Sequence, residues 1–533
     1  MKISPVICHL PLACALLAWP LTARAELKLP AIIGDHMVLQ QKQTNPIWGW
    51  DQPGTKVTVT FAGQTKSAEA AADGKWSVKL DPVPANAEPS VLTIEGSSKR
   101  AIQDVLVGEV WMCSGQSNMG MTVSGDWKAD IESLASNHPG LRLITVPIVG
   151  TQEPQQDFKG EWKAATPETC RGFSAVGFFY GRYLHEILGV PVGLINNAWG
   201  GSAAEAWVRR ETIEKDPRFK SLVDGWKQRE AQLASAEAKA AYEKALAAWK
   251  VSAEEAKASG KPAPRPPQSP EQQLSGNARP GNIFAGMVHP TLGYGIKGVI
   301  WYQGESNAGR AWEYQKLFPF MIEQWRAEWK QGDFPFYWVQ LADFKAEVPD
   351  QFDAQWAELR EAQTKTLSLP NTGEAVIIDL GEANDIHPKN KYDVAARLAR
   401  WALARDYGFK NLAHQSPLYR EMKVAGGKAM LSFDHVGTGL RTVDVDEVRG
   451  FIICGADRQW KKAQAVITGN DAIEVWADGV AEPVAVRYAW ADNPVCNVRS
   501  KEGLPLTPFR TDDFPMITDP ANATAVAPPA AKK

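Results

Sequence analysis

Several features of nucleic-acid-binding proteins and membrane proteins are scarce or missing in this sequence of 533 residues. It has six cysteines, a formal net charge of −3 and no strongly basic stretch. Nucleic-acid-binding proteins usually carry a clustered basic surface, so we expect no nucleic-acid partner. No apolar run after residue 25 reaches the roughly 20 residues that a membrane-spanning helix needs. We therefore expect no membrane span, and the composition leaves the oligomeric state open.

Metal-binding and phosphate-binding patterns are also missing. The sequence has no paired His or Cys at zinc-ligand spacing and no acidic loop of the calcium type. It has no glycine-rich phosphate loop either. We therefore expect neither a metal site nor a cofactor.

The first 25 residues have the pattern of a signal peptide. Lys2 precedes an apolar stretch from Val6 to Leu21, and Ala23-Arg24-Ala25 supplies small residues for cleavage before Glu26. A lipoprotein anchor at Cys14 is the weaker alternative. The mature protein is therefore expected to be soluble and periplasmic or secreted.

Four cysteines follow this leader, and export permits disulfides among them. Cys454 and Cys496 both lie in a strand-rich region, so they form our first expected pair, although connectivity does not follow from sequence. Cys113 lies close to the serine discussed below. We interpret it as a small buried residue rather than as a nucleophile.

Strand patterns dominate both ends of the mature chain. Residues 26–103 contain short alternating segments separated by glycine turns, such as 55–61, which predicts a small β-sandwich. Strand signals return in residues 416–515, which predicts a second β-rich region. The Ala- and Pro-rich tail, residues 516–533, is predicted to be disordered.

Residues 104–415 alternate between apolar strands and helices. Such alternation predicts an α/β domain with a parallel sheet and helices on both faces. The strands are expected at 104–112, 192–195, 297–301, 336–341 and 375–379, and the helices at 177–188, 312–329 and 391–407.

An insertion at about 211–275 interrupts this alternation. It combines a helical stretch rich in Ala, Glu and Lys with a proline-rich segment over 261–270. Two interpretations remain open, a lip over a substrate cleft and a solvated spacer.

Ser117 follows a buried strand and a short turn containing Gly115. Such a turn presents a hydroxyl at the carboxyl end of the sheet, where open α/β sheets place their sites. A serine hydroxyl needs a base within hydrogen-bond reach to act as a nucleophile. The motif Ser114-Gly-Gln-Ser-Asn118 is by itself a modest signal.

Four segments in order resemble blocks of sialate O-acetylesterase-like proteins, which belong to the SGNH hydrolases. They are 110–119 around Gly-Gln-Ser-Asn-Met, 197–207 with Trp-Gly-Gly-Ser, 301–307 with Trp-Tyr-Gln-Gly-Glu-Ser-Asn, and 385–391 with Asp-Ile-His-Pro. The N-terminal Trp48-Gly-Trp-Asp-Gln-Pro-Gly54 is also similar. The resemblance covers most of residues 27–515 and implies an SGNH-hydrolase-like (flavodoxin-like) three-layer fold.

The resemblance also implies roles for individual residues. Ser117 is the expected nucleophile and His387 its base. The expected oxyanion hole combines the amides of Ser117 and of Gly200 or Gly201 with the side-chain amide of Gln303. Neighbouring side chains are candidate substrate contacts, namely Gln116, Asn118, Trp199, Glu305 and Asn307.

The group that orients His387 stays open at the sequence level. SGNH hydrolases commonly carry Asp three residues before the base, but that position is Asn384, and Asp385 stands two residues before it. Asp385 is our candidate for the third triad member. Other carboxylates nearby are Asp379, Glu382 and Glu305, and a Ser–His dyad is a further alternative.

The sequence thus predicts a secreted carbohydrate O-acetylesterase that acts on an O-acetylated carbohydrate. Its 21 tryptophans suit sugar stacking, although a buried core position is the default for any one of them. The acetylated sugar is either sialic acid or a plant hemicellulose such as xylan or xyloglucan. The alternatives are a long-chain esterase and, from another class, a noncatalytic carbohydrate-binding protein.

Overall fold

The computed structural model describes residues 26–522, so the predicted signal peptide lies outside the described residues. The chain is mixed α/β, with one large mixed sheet of 11 strands and several smaller β-sheets. No helix between residues 26 and 522 combines the length and the apolar character needed to cross a membrane.

The N-terminal region is built of short strands in which apolar residues alternate with polar ones, as predicted. Val57, Val59 and Phe61 of β3 are buried while the residues between them face outward. The long strand β7 runs through the boundary predicted at 103/104, so the two regions share a strand rather than a linker. The strands are β1 (Val38–Gln40), β2 (Asn45–Trp50), β3 (Lys56–Phe61), β4 (Gln64–Glu69), β5 (Lys75–Leu80), β6 (Asn86–Glu95) and β7 (Lys99–Gly115).

The carboxyl-terminal half of β7 is the centre of the α/β sheet. The strand order is β13-β12-β11-β7-β10-β8-β9, and every neighbouring pair except β8–β9 is parallel. The strand expected at 375–379 occurs slightly earlier, as β13. The remaining strands are β8 (His138–Thr145), β9 (Lys163–Ala165), β10 (Val192–Ala198), β11 (Gly298–Tyr302), β12 (Phe336–Val339) and β13 (Thr372–Ala375).

Helices cover both faces of this sheet. Val110 and Met112 of β7 pack in one core cluster with residues of α9 and α10, while Trp111 and Cys113 pack in another with α4 and α11. The helices are α1 (Ser117–Gly120), α2 (Ala129–Leu134), α3 (Pro167–Arg171), α4 (Ala175–Leu188), α5 (Arg210–Lys215), α6 (Lys220–Leu233), α7 (Ala236–Ala258), α8 (Pro270–Leu274), α9 (Ala311–Trp329), α10 (Gln355–Lys365) and α11 (Lys391–Arg405).

The strand order creates a crevice at the end of β7. β10 and β11 flank β7 on its two sides, and the chain leaves toward opposite edges of the sheet from there. Ligands of open α/β sheets bind at such a reversal, at the carboxyl ends of the strands. Ser117 lies at this position.

The insertion predicted at about 211–275 consists of α5 to α8 and an extended proline-rich segment. α7 has no fully buried residue, unlike the helices that cover the sheet. The indole N–H of Trp249 donates to the carbonyl of Pro264 at 2.8 Å, which ties α7 to the proline-rich segment.

The C-terminal region consists of strands, with its own apolar core. Its strands are β14 (Leu418–Ala425), β15 (Lys428–Asp434), β16 (Leu440–Thr442), β17 (Phe451–Cys454), β18 (Lys461–Lys462), β19 (Gln464–Ile467), β20 (Ala472–Trp476), β21 (Ala485–Tyr488), β22 (Val498–Ser500) and β23 (Phe509–Arg510).

The expected disulfide between Cys454 and Cys496 is wrong. All four cysteines between residues 26 and 522, including Cys113 and Cys170, are free thiols. Cys496 packs against Gly450 ahead of β17, whereas Cys454 ends that strand. Four strand residues span roughly 13 Å, beyond the roughly 7 Å between Cα atoms that a disulfide bridges.

The disordered tail was predicted from residue 516, but the first residues of that range are packed. Met516 is buried, and the amide of Thr518 donates to Glu358 on α10 at 3.0 Å. Burial of this carboxylate raises its pKa, and the backbone amides of Ile517 and Thr518 satisfy it. The rest of the predicted tail lies outside the described residues.

Candidate active site

Ser117 begins α1 immediately after β7 and a tight turn. Gly115 ends β7 with φ +134°, and a Cβ there would lie 2.2 Å from the carbonyl oxygen of Tyr302, so only glycine fits. The amide of Gln116 donates to the same carbonyl at 2.9 Å. The turn therefore clamps the nucleophile loop to β11 as it leaves the sheet.

The structure brings His387 to Ser117. Nε2 of His387 lies 2.8 Å from Oγ of Ser117, although the two residues are 270 positions apart in the chain. His387 lies on the loop that precedes α11. A serine hydroxyl within hydrogen-bond distance of an imidazole is the arrangement that activates a serine nucleophile.

Asp385 lies on the other side of the imidazole. Its Oδ1 accepts the backbone N–H of His387 at 2.9 Å and lies 3.4 Å from Nδ1. The hydrogen bond from the His387 backbone, together with the nearby Lys389 ammonium, holds the pKa of Asp385 below its usual range. Asp385 therefore carries a negative charge beside the imidazole at neutral pH.

The other carboxylates considered from sequence have different partners. Asp379 forms a two-pronged ion pair with Arg397 at 2.6 and 2.7 Å. Glu382 accepts both the backbone and the side chain of Lys389. Neither side chain is hydrogen-bonded to the imidazole.

Asn118 and Glu305, expected as substrate contacts, instead form a buried cluster behind the nucleophile. The Asn118 amide donates to Glu305 Oε1 at 2.6 Å and to the carbonyl of Ile386 at 3.0 Å, and its Oδ1 accepts from Lys391 Nζ at 2.6 Å. Asn118 is 1% exposed. Their polar atoms are enclosed in protein, so this geometry does not favour substrate contact, which stays a prediction for both residues.

Burial also changes the charge of this cluster. It lowers the pKa of Lys391 to about 7 and raises the pKa of Glu305. Sequence reasoning missed the role of Lys391. A lysine at the first position of a helix opposes the helix dipole, and this anomaly at the start of α11 was the available signal.

Gln303 and Asn307 form a second buried group, a frame under the loop that carries Gly200 and Gly201 (the glycine loop). The Gln303 amide donates to the carbonyl of Ser202 at 3.0 Å and to Asn307 Oδ1 at 2.7 Å, and its Oε1 accepts from Tyr314 at 3.0 Å. Asn307 donates to Glu205 at 3.0 Å. Both amide hydrogens of Gln303 are engaged within this frame. Its place in the oxyanion hole and substrate contact by Asn307 stay predictions that this geometry does not favour.

The glycine loop lies directly against the nucleophile. A Cβ on Gly200 would lie 3.3 Å from Cβ of Ser117, and Gly201 has φ +69°, which favours glycine. Within residues 26–522, the amides of Ser117, Gly200 and Gly201 donate no hydrogen bond. These amides are available to an oxygen atom placed beside Ser117.

Gln116 and Trp199 flank the same site. Gln116 is nearly buried, and its Oε1 has no hydrogen-bond partner between residues 26 and 522. The ring of Trp199 is half-buried and borders a groove described below. No cluster of three or more potential metal-ligating side chains occurs among the described residues.

Comparison with known proteins places the chain among carbohydrate esterases. The model of a family described as carbohydrate esterase, sialic acid-specific acetylesterase, matches residues 107–249 and 283–403. A crystal structure of a carbohydrate acetylesterase from Xanthomonas citri is 37% identical with a TM-score of 0.77, and the match covers 92% of this chain and 100% of that one.

Curated relatives match over nearly the whole length. Sialate O-acetylesterase of Mus musculus is 30% identical over 528 residues, which cover 90% of this chain and 94% of the relative. The enzyme of Homo sapiens is 28% identical over 530 residues, 90% and 92% of the two chains. The resemblance found in the four sequence blocks is thereby confirmed. This chain is a carboxylic ester hydrolase and belongs to the family of sialic acid-specific carbohydrate acetylesterases.

Proposed function

We propose that the protein is an exported carbohydrate O-acetylesterase that releases acetate from sugar hydroxyls through an acetyl-enzyme. The observation that carries the proposal is the 2.8 Å contact between Ser117 Oγ and His387 Nε2 at the carboxyl end of β7. The family supplies the reaction class, and this contact supplies the nucleophile and its base.

In the first step Ser117 attacks the acetyl carbonyl while His387 takes its proton. The tetrahedral intermediate collapses, and His387 returns the proton to the departing sugar oxygen. Water then attacks the acetyl-enzyme with His387 again as base, which regenerates Ser117 and releases acetate. Asp385 stabilises the transient imidazolium by its charge and fixes the loop through the His387 amide.

The oxyanion hole in this proposal consists of backbone amides. Those of Ser117 and of Gly200 or Gly201 donate to the negative oxygen, since they are without acceptors in the described part of the chain. One such donor typically changes kcat by roughly 10²–10³. The frame of Gln303 and Asn307 contributes by holding the loop, not by touching the oxyanion.

The fold that fits this chemistry is the flavodoxin-like three-layer fold of SGNH hydrolases. The order β10-β7-β11-β12-β13, with helices on both faces, supports it, and β8 with β9 extends one edge. In the same proposal, residues 26–103 and 416–515 are accessory β regions.

The sugar is proposed from two kinds of relative. The mammalian relatives are sialate O-acetylesterases, and the relative from Xanthomonas citri is a carbohydrate acetylesterase. O-acetylated sialic acid is thus the first substrate to test, and acetylated xylan or xyloglucan the second. Export rests on the signal-peptide pattern of residues 1–25, and N-terminal sequencing of the mature protein tests cleavage before Glu26.

The decisive experiment is acetate release from acetylated sialoglycans, xylan and xyloglucan, with p-nitrophenyl acetate and p-nitrophenyl octanoate as small esters. We expect activity on acetate esters, confined to one class of polymer, and its loss in Ser117→Ala with an unchanged circular dichroism spectrum. Preference for octanoate would favour the long-chain esterase. Undiminished hydrolysis by Ser117→Ala would overturn the proposal.

A further inference from the structure

A groove of about 830 Å³ lies beside the nucleophile loop, bounded on its outer side by the insertion. Trp199, which lines it, directly precedes Gly200 in the chain. Asn277, also in its lining, donates to the carbonyl of Gly200 at 2.7 Å. Because Gly200 packs on Ser117, the groove lies next to the Ser117 site.

Aromatic rings from three elements line this groove. Trp199 follows β10, Trp226 lies on α6 and Tyr242 lies on α7, and all three are half-buried rather than enclosed in a core. Gly150 leaves room for the Trp199 ring, since a Cβ there would lie 2.9 Å from Cη2. Flat aromatic faces that remain accessible suit the C–H faces of pyranose rings.

The polar part of the lining suits hydroxyl groups. Amide side chains offer hydrogen-bond donors and acceptors, and two guanidinium groups add donors and positive charge. These side chains are Arg229, Arg265, Gln268, Gln272, Gln273 and Asn277. No carboxylate is among the described residues that line the groove, so sugars that carry a carboxylate are not repelled.

One wall of the groove lies outside the common part of the family. The family match breaks between residues 249 and 283, and this gap contains the proline-rich segment and α8. α7, which has no fully buried residue, turns the partly covered side chains of Tyr242 and Leu246 toward the groove. The insertion thus builds a concave surface beside the site instead of adding to the core.

We propose that this groove is a glycan-binding subsite that holds the sugars flanking the acetylated residue. Aromatic stacking on Trp199, Trp226 and Tyr242 then makes the enzyme prefer acetylated oligosaccharides and polysaccharides over acetylated monosaccharides. The inference rests on the proposed function and adds to it that the preferred substrate is a chain of several sugars.

The test compares kcat/KM for acetate release across substrates of increasing chain length. The probes are acetylated xylo-oligosaccharides and xyloglucan oligosaccharides, free O-acetyl sialic acid against sialyl-oligosaccharides, and p-nitrophenyl acetate. For the sugar that is accepted, kcat/KM rises with chain length. Trp226→Ala and Tyr242→Ala each remove most of that rise, roughly tenfold, while p-nitrophenyl acetate stays within about twofold because its acetyl group needs only the catalytic site.

Two residues of α7 supply a matched control. Leu246 lines the groove, whereas Val251 is 60% exposed and does not. Leu246→Ala lowers kcat/KM on the long substrates, and Val251→Ala leaves it unchanged. Equal kcat/KM for short and long substrates, or wild-type behaviour of Trp226→Ala and Tyr242→Ala on the long ones, overturns the inference.

A binding measurement separates the subsite from the reaction. Ser117→Ala protein is titrated with the deacetylated oligosaccharides while tryptophan fluorescence is recorded. Saturable binding that Trp226→Ala weakens supports the groove as a glycan-binding subsite. It does so even if no ester is hydrolysed, because missing hydrolysis would refute only the proposed function. Absence of binding by every oligosaccharide overturns the subsite, whatever the esterase activity.

Discussion

The two residues of the proposed catalytic pair are held in different ways. The loop of Ser117 is fixed by the buried cluster that contains Asn118 and Lys391 and by the Tyr302 carbonyl. His387 and Asp385 lie on a loop where their side chains are 40% and 42% exposed. The loop of the proposed nucleophile is thus fixed by enclosed hydrogen bonds, whereas the proposed base is positioned by charges that water screens.

This difference has energetic consequences. A buried hydrogen-bonding group left without its partner costs about 1–3 kcal/mol. An exposed ion pair, such as Lys389 with Glu382, contributes much less because water screens it. Substitutions in the buried cluster should therefore change folding stability, and substitutions in the exposed loop should change the rate of ester hydrolysis. The following predictions test that division.

The largest expected effect is that of His387→Ala. It removes the base, so kcat on p-nitrophenyl acetate should fall by roughly 10⁴-fold or more. The urea midpoint should stay near that of the wild type, because the side chain is exposed on a loop. Activity within about tenfold of wild type would show that His387 is not the base.

Lys391→Met should have the next largest effect, and it should act on stability. The variant leaves Asn118 Oδ1 without its donor, and we expect a loss of about 2 kcal/mol of unfolding free energy at pH 9. Lys389→Met, only two residues away but exposed, is the matched control and should leave the urea midpoint near that of the wild type.

The Lys391 effect should also depend on pH. Its pKa is about 7 in the folded chain, against an ordinary value of 10.5. Between these values the unfolded chain binds more protons, so this group makes the wild type more stable as pH rises. The loss in Lys391→Met should therefore shrink from pH 9 toward pH 6. Urea unfolding at the two pH values measures it, and a loss that grows toward pH 6 would contradict the assignment.

The smallest effect is expected for Asp385→Asn. The amide retains an acceptor for the His387 backbone but loses the charge, so kcat should fall about tenfold, far less than for a buried triad carboxylate. Asp385→Ala, which also loses the backbone contact, should fall further. An unchanged kcat in both variants would favour the Ser–His dyad.

Sequence reasoning located Ser117 and His387, the proposed reacting groups, because their signals are local and ordered. Strand, glycine turn and serine follow one another around Ser117, and the block order identified His387 despite the 270 residues between them. The alternation of strands and helices likewise predicted the layered sheet.

The side-chain directions could not be predicted in this way. The third of the four matching segments, residues 301–307, does approach Ser117. The sequence does not reveal, however, that Gln303 points to Ser202 and Tyr314 instead of into the site. The same holds for Cys454 and Cys496, which share a region yet lie near opposite ends of β17. Such outcomes depend on packing between distant segments, which one-dimensional patterns do not encode.

The continuity of β7 sets an order of events for a chain emerging from the ribosome. Residues 99–108 pair with β1 and β6, which are synthesised earlier, whereas residues 109–115 pair with β10 and β11, which are synthesised later. The N-terminal sheet can close first and present the second half of β7 as a template. A shortened chain that starts at residue 104 keeps residues 109–115 but lacks the N-terminal sheet that orders them, so the esterase region should not be transferable as a module without its N-terminal neighbour.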